Sequence, residues 1–241
     1  MIINNDLICG DCNDILKTLP DCSVNLIVTD PPYGINYISG HQCVSNRGGH
    51  AEIKRSANYF SKIIGDSELP VKWLIDAYRI LKNNSAIYIF ICWKSWSKLE
   101  RSCKEAGFNV KNMIVINKSN HGMGDIRMGY SPKHELVLFA SKGKHILNFK
   151  NFGTGTRISD VMERSVKFSG THHYHPNEKP LSWIEPFILC SSNKGDIVLD
   201  PFMGSGTVII SAQKYDRKYL GIEIDKNFYD IALNRINNVD K

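Results

Sequence analysis

An α/β fold with a largely parallel sheet, covered on both faces, is predicted by three features of the 241-residue sequence. Short apolar, β-branched runs alternate with segments of helical spacing. Two of those runs end in an acid followed by proline, at Asp30-Pro31 and Asp200-Pro201. The longest apolar run, Ile87 to Trp93, is strand-sized, far too short for a membrane span. Continuous apolar runs of this kind belong to strands buried on both faces, as parallel strands are.

Asp6 to Cys9 is a short strand leading into Gly10-Asp11, and Asn13 to Leu19 is a helix ended by Pro20. Val24 to Thr29 is a buried strand delivering Asp30-Pro31-Pro32-Tyr33. From Gly34 to about Gly65 the chain is polar and glycine-dotted, too long to be an idle connection, and reads as a mobile substrate-covering loop. Leu69 to Leu81 carries Trp73, Leu74, Ala77, Tyr78 and Leu81 at helical spacing, with Lys82-Asn83-Asn84 as the stop. Ala86 to Cys92 is a strand, and Ser95 to Ala106 is a helix stopped by Gly107. Val110 to Ile116 and Glu135 to Ala140 are strands flanking the connector Gly122 to Gly129. Lys142 to Pro176 has weak patterning. Pro180 to Ser191 is a helix that Pro186 should kink or whose start it should shift. Ile197 to Leu199 (strand), Thr207 to Tyr215 (helix), Tyr219 to Ile224 (strand) and Asn227 to Asn237 (helix) complete the alternation.

The net charge of +6 fits a polyanionic partner, and its distribution says more. His41 to Ile64 holds Arg47, Lys54, Arg55 and Lys62 against Glu52 alone. Ser141 to Pro180 holds Lys142, Lys144, Lys150, Arg157, Arg164, Lys167 and Lys179 against Asp160, Glu163 and Glu178. One such run is ordinarily a solvated face; two flanking a candidate pocket point to nucleic acid. Seven cysteines without framework spacing read as reduced, cytosolic thiols, and Cys9-Gly10-Asp11-Cys12 lacks a second pair to complete a metal site. The N-terminus has neither the basic flank nor the apolar core of a signal peptide. No metal and no membrane are expected, and the location expected is cytoplasmic.

Two sites carry the chemistry. At Asp30-Pro31-Pro32-Tyr33 the prolines remove backbone donors and leave carbonyls free to face a ligand. With the carboxylate and the ring of Tyr33, they suit a flat, amine-bearing base held by its amino group and one face. The C-terminal edge of a sheet is where open α/β folds bind ligands. The second site is Asp200-Pro201-Phe202-Met203-Gly204-Ser205-Gly206-Thr207, between a strand and a helix. Its glycines permit close backbone approach, but Ile209 stands where a dinucleotide fingerprint needs a third glycine. Glu223, at the end of the next strand, suits a ribose diol, whereas Asp225 reads as the cap of the last helix. A nucleoside ligand without a pyrophosphate is implied. Lys179, in His175-Pro176-Asn177-Glu178-Lys179-Pro180, reads from the residues alone as a solvated surface lysine. His172, His173 and His175 read as surface or nucleic-acid contacts.

Gly10-Asp11, Asp30 to Tyr33, Ile87 to Phe90, Lys133-His134-Glu135, His175 to Pro180, Asp200 to Thr207 and Gly221 to Asp225, in this order, resemble the S-adenosylmethionine-dependent DNA amino-methyltransferases. The base-binding motif precedes the cofactor motif, as in the circularly permuted β-type arrangement of that family. The resemblance implies a Rossmann-like sheet of seven strands, mostly parallel with one antiparallel, forming a single catalytic domain over residues 1–241. It implies S-adenosylmethionine as methyl donor, with Asp11, Lys179, Asp200, Phe202, Gly204, Ser205, Gly206, Thr207 and Glu223 around it. Asp11 would lie near the adenine amine of the donor, and Lys179 becomes a partner for its methionine carboxylate. Asp30, Pro31, Pro32 and Tyr33 would be the catalytic set, and an aspartate in that motif is typical of adenine-N6 enzymes, serine of cytosine-N4 ones. A departure is Ile116-Asn117-Lys118, where relatives often have tryptophan-x-lysine. Residues 34–65 and 141–175 would recognise the target in double-stranded DNA. Such relatives are often dimers, and some are paired with a separate restriction endonuclease; the sequence leaves both points open. The rival readings are a cytosine-N4 enzyme and a non-catalytic nucleic-acid-binding module.

Overall fold

The computed structural model describes residues 5–35, 64–118, 130–153, 155–164 and 179–238. Most of the 34–65 loop, the Gly122 to Gly129 connector, and His172, His173 and His175 lie outside them.

The strands are β1 (Asp6–Cys9), β2 (Val24–Thr29), β3 (Leu81–Ile91), β4 (Asn109–Lys118), β5 (His134–Lys142), β6 (Val161–Arg164), β7 (Ile197–Asp200) and β8 (Lys218–Glu223). They form one sheet in the order β1-β8-β7-β2-β3-β5-β4-β6. Only β5 runs against its neighbours β3 and β4; every other pairing is parallel. The expected single antiparallel strand is therefore present, and the described residues make eight strands where seven were expected. The extra one, β6, pairs with the outer side of β4. It has four residues, of which Val161 is half exposed and Met162 buried, so it shows too little alternation to be read in sequence.

The helices are α1 (Cys12–Thr18), α2 (Trp73–Ile80), α3 (Trp96–Glu105), α4 (Leu181–Ser191), α5 (Thr207–Lys214) and α6 (Lys226–Ile236). Successive side chains of the central strands feed opposite cores. Ile87, Ile89 and Ile91 of β3 pack with Leu16, Trp73, Leu74, Ala77 and Leu99 from α1, α2 and α3. Ala86, Tyr88 and Phe90 pack with Trp183, Phe187, Val208 and Ala232 from α4, α5 and α6. Both faces are buried, which explains the unbroken apolar runs. Tyr88 is stacked between Phe139 at 4.8 Å and Phe187 at 4.4 Å.

Two expectations are corrected. The helix expected over Leu69 to Leu81 begins only at Trp73, whose indole donates to the Pro70 carbonyl, and the supposed stop Lys82-Asn83-Asn84 is already in β3. Asn84 takes a positive φ of 63° there, which asparagine tolerates better than most side chains. Of the two effects expected of Pro186, a kink or a shifted start, the second is absent: α4 begins right after Pro180 and continues through the buried Pro186.

Strands β7 and β2 lie side by side, although the end of one and the start of the other are 168 positions apart in sequence (197 − 29 = 168). Their C-terminal ends thus deliver both motif loops to one edge of the sheet.

Candidate active site

A cavity of about 900 Å³ opens at this edge. Its wall includes Asp11, Asp30, Pro31, Pro32, Tyr33 and Lys179, and also Asp200, Phe202, Gly204, Ser205, Thr207 and Glu223. Among the sequence-predicted site residues only Gly206 is outside the lining; it is the buried left-handed N-cap of α5, with φ 87°. A side chain there would be strained and would press on Ala232.

The Asp30 turn is held from several sides. The Tyr33 hydroxyl donates to Asp30 Oδ1 at 2.7 Å, and Ser95 Oγ donates to the Tyr33 carbonyl at 2.6 Å. Burial, and then the Asp30 charge, push the Tyr33 hydroxyl well above its ordinary range, so it stays protonated and remains a donor. Gly34 leaves the turn with φ +69° and its N–H on Asp66 Oδ1 at 2.8 Å; a Cβ there would collide with the Leu69 backbone. Among the described residues no group donates to the Pro31 carbonyl.

Lys179 is not a solvated surface residue. Its Nζ lies 2.5 Å from Asp30 Oδ2, and its side chain is only 12% exposed. Burial pulls the ammonium toward the neutral form, but the charges of Asp30 and Glu135 outweigh it and hold the group protonated. Glu135 in turn pairs with Lys118 at 3.0 Å, both largely buried in the cavity wall.

The neighbouring loop is built differently. Asp200 is 2% exposed. Its Oδ1 accepts the Thr29 hydroxyl at 2.7 Å and the Phe202 N–H at 3.1 Å, which ties the ends of β2 and β7 together. Burial raises its pKa to about 7, against the opposing pull of those two donors. Phe202 packs edge-on against Trp73 at 5.4 Å. Glu223 accepts Gly204 N–H on Oε2 and Asp225 N–H on Oε1, both at 2.8 Å. Ser205 Oγ is engaged by Arg235 of α6 at 2.8 Å. Asp225 caps α6 by accepting from Asn227 and Phe228, as expected from sequence. Asp11 caps α1 by accepting Asn13 N–H at 2.8 Å, and still faces the cavity.

The residues around Glu223 fit a nucleoside. Burial raises the Glu223 carboxyl above its ordinary value despite its backbone donors, so hydroxyls donating to it would relieve part of its desolvation. The cavity is continuous from Glu223 and Asp11 to Asp30 and Glu135, room enough for a donor and an acceptor side by side.

No role for Asp66, Ser95, Thr29, Lys118 or Glu135 was readable from sequence. Glu135 fell within a segment that carries the resemblance and Lys118 within the one named as a departure from it, and the antiparallel pairing of β4 with β5 is what joins them. Asp66 and Ser95 act through turn contacts that leave no local pattern.

The fold is shared with solved DNA methyltransferases. M1.HpyAVI in complex with SAM superimposes with a TM-score of 0.67 at 24% identity, covering 96% of this chain and 99% of that one. PvuII DNA methyltransferase, described as cytosine-N4-specific, gives 0.72 at 15% identity, covering 98% and 91%. In sequence, the chain is 32% identical to Type II methyltransferase M.HpaI of Haemophilus parainfluenzae, over 95% of this chain and 73% of that protein. It is 30% identical to the putative methylase YubD of Escherichia coli strain K12, over 94% and 88%. Type II methyltransferase M.HinfI of Haemophilus influenzae is 28% identical over 98% and 69%. Residues 24–234 match the N6/N4 DNA methylase family, and the chain belongs to that family.

Proposed function

We propose that the protein transfers a methyl group from S-adenosylmethionine to the exocyclic N6 amine of an adenine flipped out of double-stranded DNA. The observation that carries this reading is the hydrogen-bonded pair of Asp30 and Tyr33, set in the same cavity as Glu223 and the Gly204 loop. S-adenosylmethionine, when bound, supplies an electrophilic sulfonium methyl. Glu223 would accept from its ribose hydroxyls, Asp11 would lie near its adenine, and Phe202, Gly204 and Thr207 would line the rest.

The amine of adenine is a poor nucleophile because its lone pair is delocalised into the ring. Asp30 and the Pro31 carbonyl accept its two hydrogens, which favours tetrahedral nitrogen and localises the lone pair. The Asp30 charge also offsets the positive charge growing on nitrogen during attack; the S–CH3 bond breaks to leave the neutral thioether S-adenosylhomocysteine, and the methylated nitrogen loses one proton to solvent. The Tyr33 ring stacks on the flipped base, worth about 1–3 kcal/mol by analogy with single-strand binders, against a few kcal/mol for unstacking. Target recognition is assigned to the basic residues between 141 and 175 and to the loop over 34–65. A homodimer and a separate cognate restriction endonuclease are part of the same proposal, on the family resemblance alone.

Methylation-sensitive sequencing of DNA from cells expressing the chain, with mass spectrometry of its nucleosides, tests the proposal. N6-methyladenine within one short recurring sequence is expected. N4-methylcytosine would replace adenine by cytosine, and no modified base would overturn the reading.

A further inference from the structure

The proposed reaction needs Asp30 to accept from the target amine, yet both oxygens of that carboxylate already hold donors. Tyr33 O–H is on Oδ1, and the Lys179 ammonium is on Oδ2 at 2.5 Å. The same ammonium stands 5.8 Å from the centre of the Tyr33 ring and 5.4 Å from that of Phe90. A nitrogen donor on the carboxylate, beside the aromatic face, occupies the place that the adenine amine would take.

We propose that Lys179 is a positioning residue: it fills the amine-acceptor site until the donor's carboxylate draws it away, coupling donor binding to base insertion. This rests on the proposed methyl transfer to adenine and adds an order to it. The reason is electrostatic. A permanent positive charge on Asp30 opposes the positive charge that develops on an attacking nitrogen, so Lys179 must leave before transfer. It cannot leave for nothing, because a largely buried ammonium without a counter-ion is costly. The other described carboxylates of the cavity are engaged. Asp11 caps α1, Asp66 holds Gly34, Glu135 holds Lys118, Asp200 holds Thr29, Glu223 holds Gly204, and Asp225 caps α6. With these described carboxylates engaged, Glu135 included although its charge also acts on Lys179, a counter-ion that arrives with the ligand meets the need, and an amino-acid carboxylate on the methyl donor has that chemistry. Moving the ammonium onto it frees Asp30 Oδ2 and leaves Tyr33 O–H to orient Oδ1.

The test uses the wild-type chain and a duplex that keeps adenine at the mapped methylation position and carries 2-aminopurine as its neighbour, whose fluorescence rises when the adenine leaves the stack and so reports base insertion. S-adenosylhomocysteine is compared with its decarboxylated analogue, which keeps the nucleoside, the thioether and the amine. Insertion should rise about tenfold with the carboxylate-bearing ligand, within the usual range of coupling between sites, and by far less with the other. In Lys179→Met insertion should be high without ligand and indifferent to the carboxylate, while Lys179→Arg should restore the dependence. Equal enhancement by the two ligands in the wild type, or a carboxylate-specific enhancement surviving in Lys179→Met, overturns the proposal while the methylation reading stands. Absence of any methylated base in the mapping overturns both.

Discussion

Asp30-Pro31 and Asp200-Pro201 are the same dipeptide at the ends of two adjacent parallel strands, yet they do opposite work. The Asp30 carboxyl is a quarter exposed, faces the cavity, and is held by an ammonium and a phenol. Asp200 is 2% exposed and, although it lines the same cavity, its carboxyl is engaged by its own scaffold, taking a hydroxyl from β2 and an N–H from the loop after it. The two residues after each proline decide the difference. Pro32-Tyr33 curls a hydroxyl back onto Asp30 and leaves the carboxylate at the surface of the cavity. Phe202-Met203 instead turns the chain into the core, with Phe202 on Trp73 and Met203 buried against Gly221. A reactive carboxylate must reach substrate; a supporting one must fix the position of the strand that carries it.

The contrast can be broken by substitution. The largest effect after Asp30 itself is expected at Tyr33. Tyr33→Ala removes both the stacking ring and the donor on Oδ1, and methyl transfer should fall about 100-fold or more, from stacking of about 1–3 kcal/mol plus a charge-assisted hydrogen bond. Single-turnover transfer from labelled donor checks this, and a rate within about threefold of wild type would remove Tyr33 from the site. Glu223→Gln keeps acceptor oxygen for one backbone N–H but loses the charge offered to the ribose. Donor affinity by calorimetry should weaken about tenfold, on the scale of one hydrogen bond to a charged group. Unchanged affinity would return Glu223 to the backbone role that Gly204 and Asp225 already give it.

The smallest effect is on stability, at Asp200. Its carboxyl has a folded pKa of about 7 against an ordinary value of 3.8. Between those values the folded chain keeps a proton that the unfolded chain has released. Stability contributed here is therefore present below about pH 4 and lost as pH rises toward 7. Asp200→Asn retains an oxygen for Thr29 and Phe202 and cannot ionise, so its unfolding free energy should fall less than that of wild type between about pH 5 and about pH 7.5. Urea titrations at the two pH values measure the difference, and parallel declines would contradict the effect ascribed to burial.

Much of the fold was legible in sequence, and the limit was physical. Strands buried on both faces announce themselves by unbroken apolar runs such as Ile87 to Ile91, and both motif loops by a run ending at Asp-Pro. The Asp225 cap was readable because capping is local. The pairing of Lys179 with Asp30 was not, since 149 positions separate them and only the fold brings them together. Lys118 with Glu135 and Thr29 with Asp200 are hidden for the same reason. The family resemblance implied Lys179 as a partner for the donor's methionine carboxylate; the structure pairs it with Asp30.

The most direct measurement compares Asp30→Asn with Asp200→Asn in single-turnover methyl transfer, with donor affinity measured beside each. Asp30→Asn should lose at least about 100- to 1,000-fold in rate, the scale of removing one preorganised charge-stabilising group, while donor affinity does not weaken. Asp200→Asn should stay within about tenfold of wild type, because it retains the acceptor that positions the strand. Near-normal transfer by Asp30→Asn, or an equal loss in both variants, would contradict the division of labour between the two aspartates.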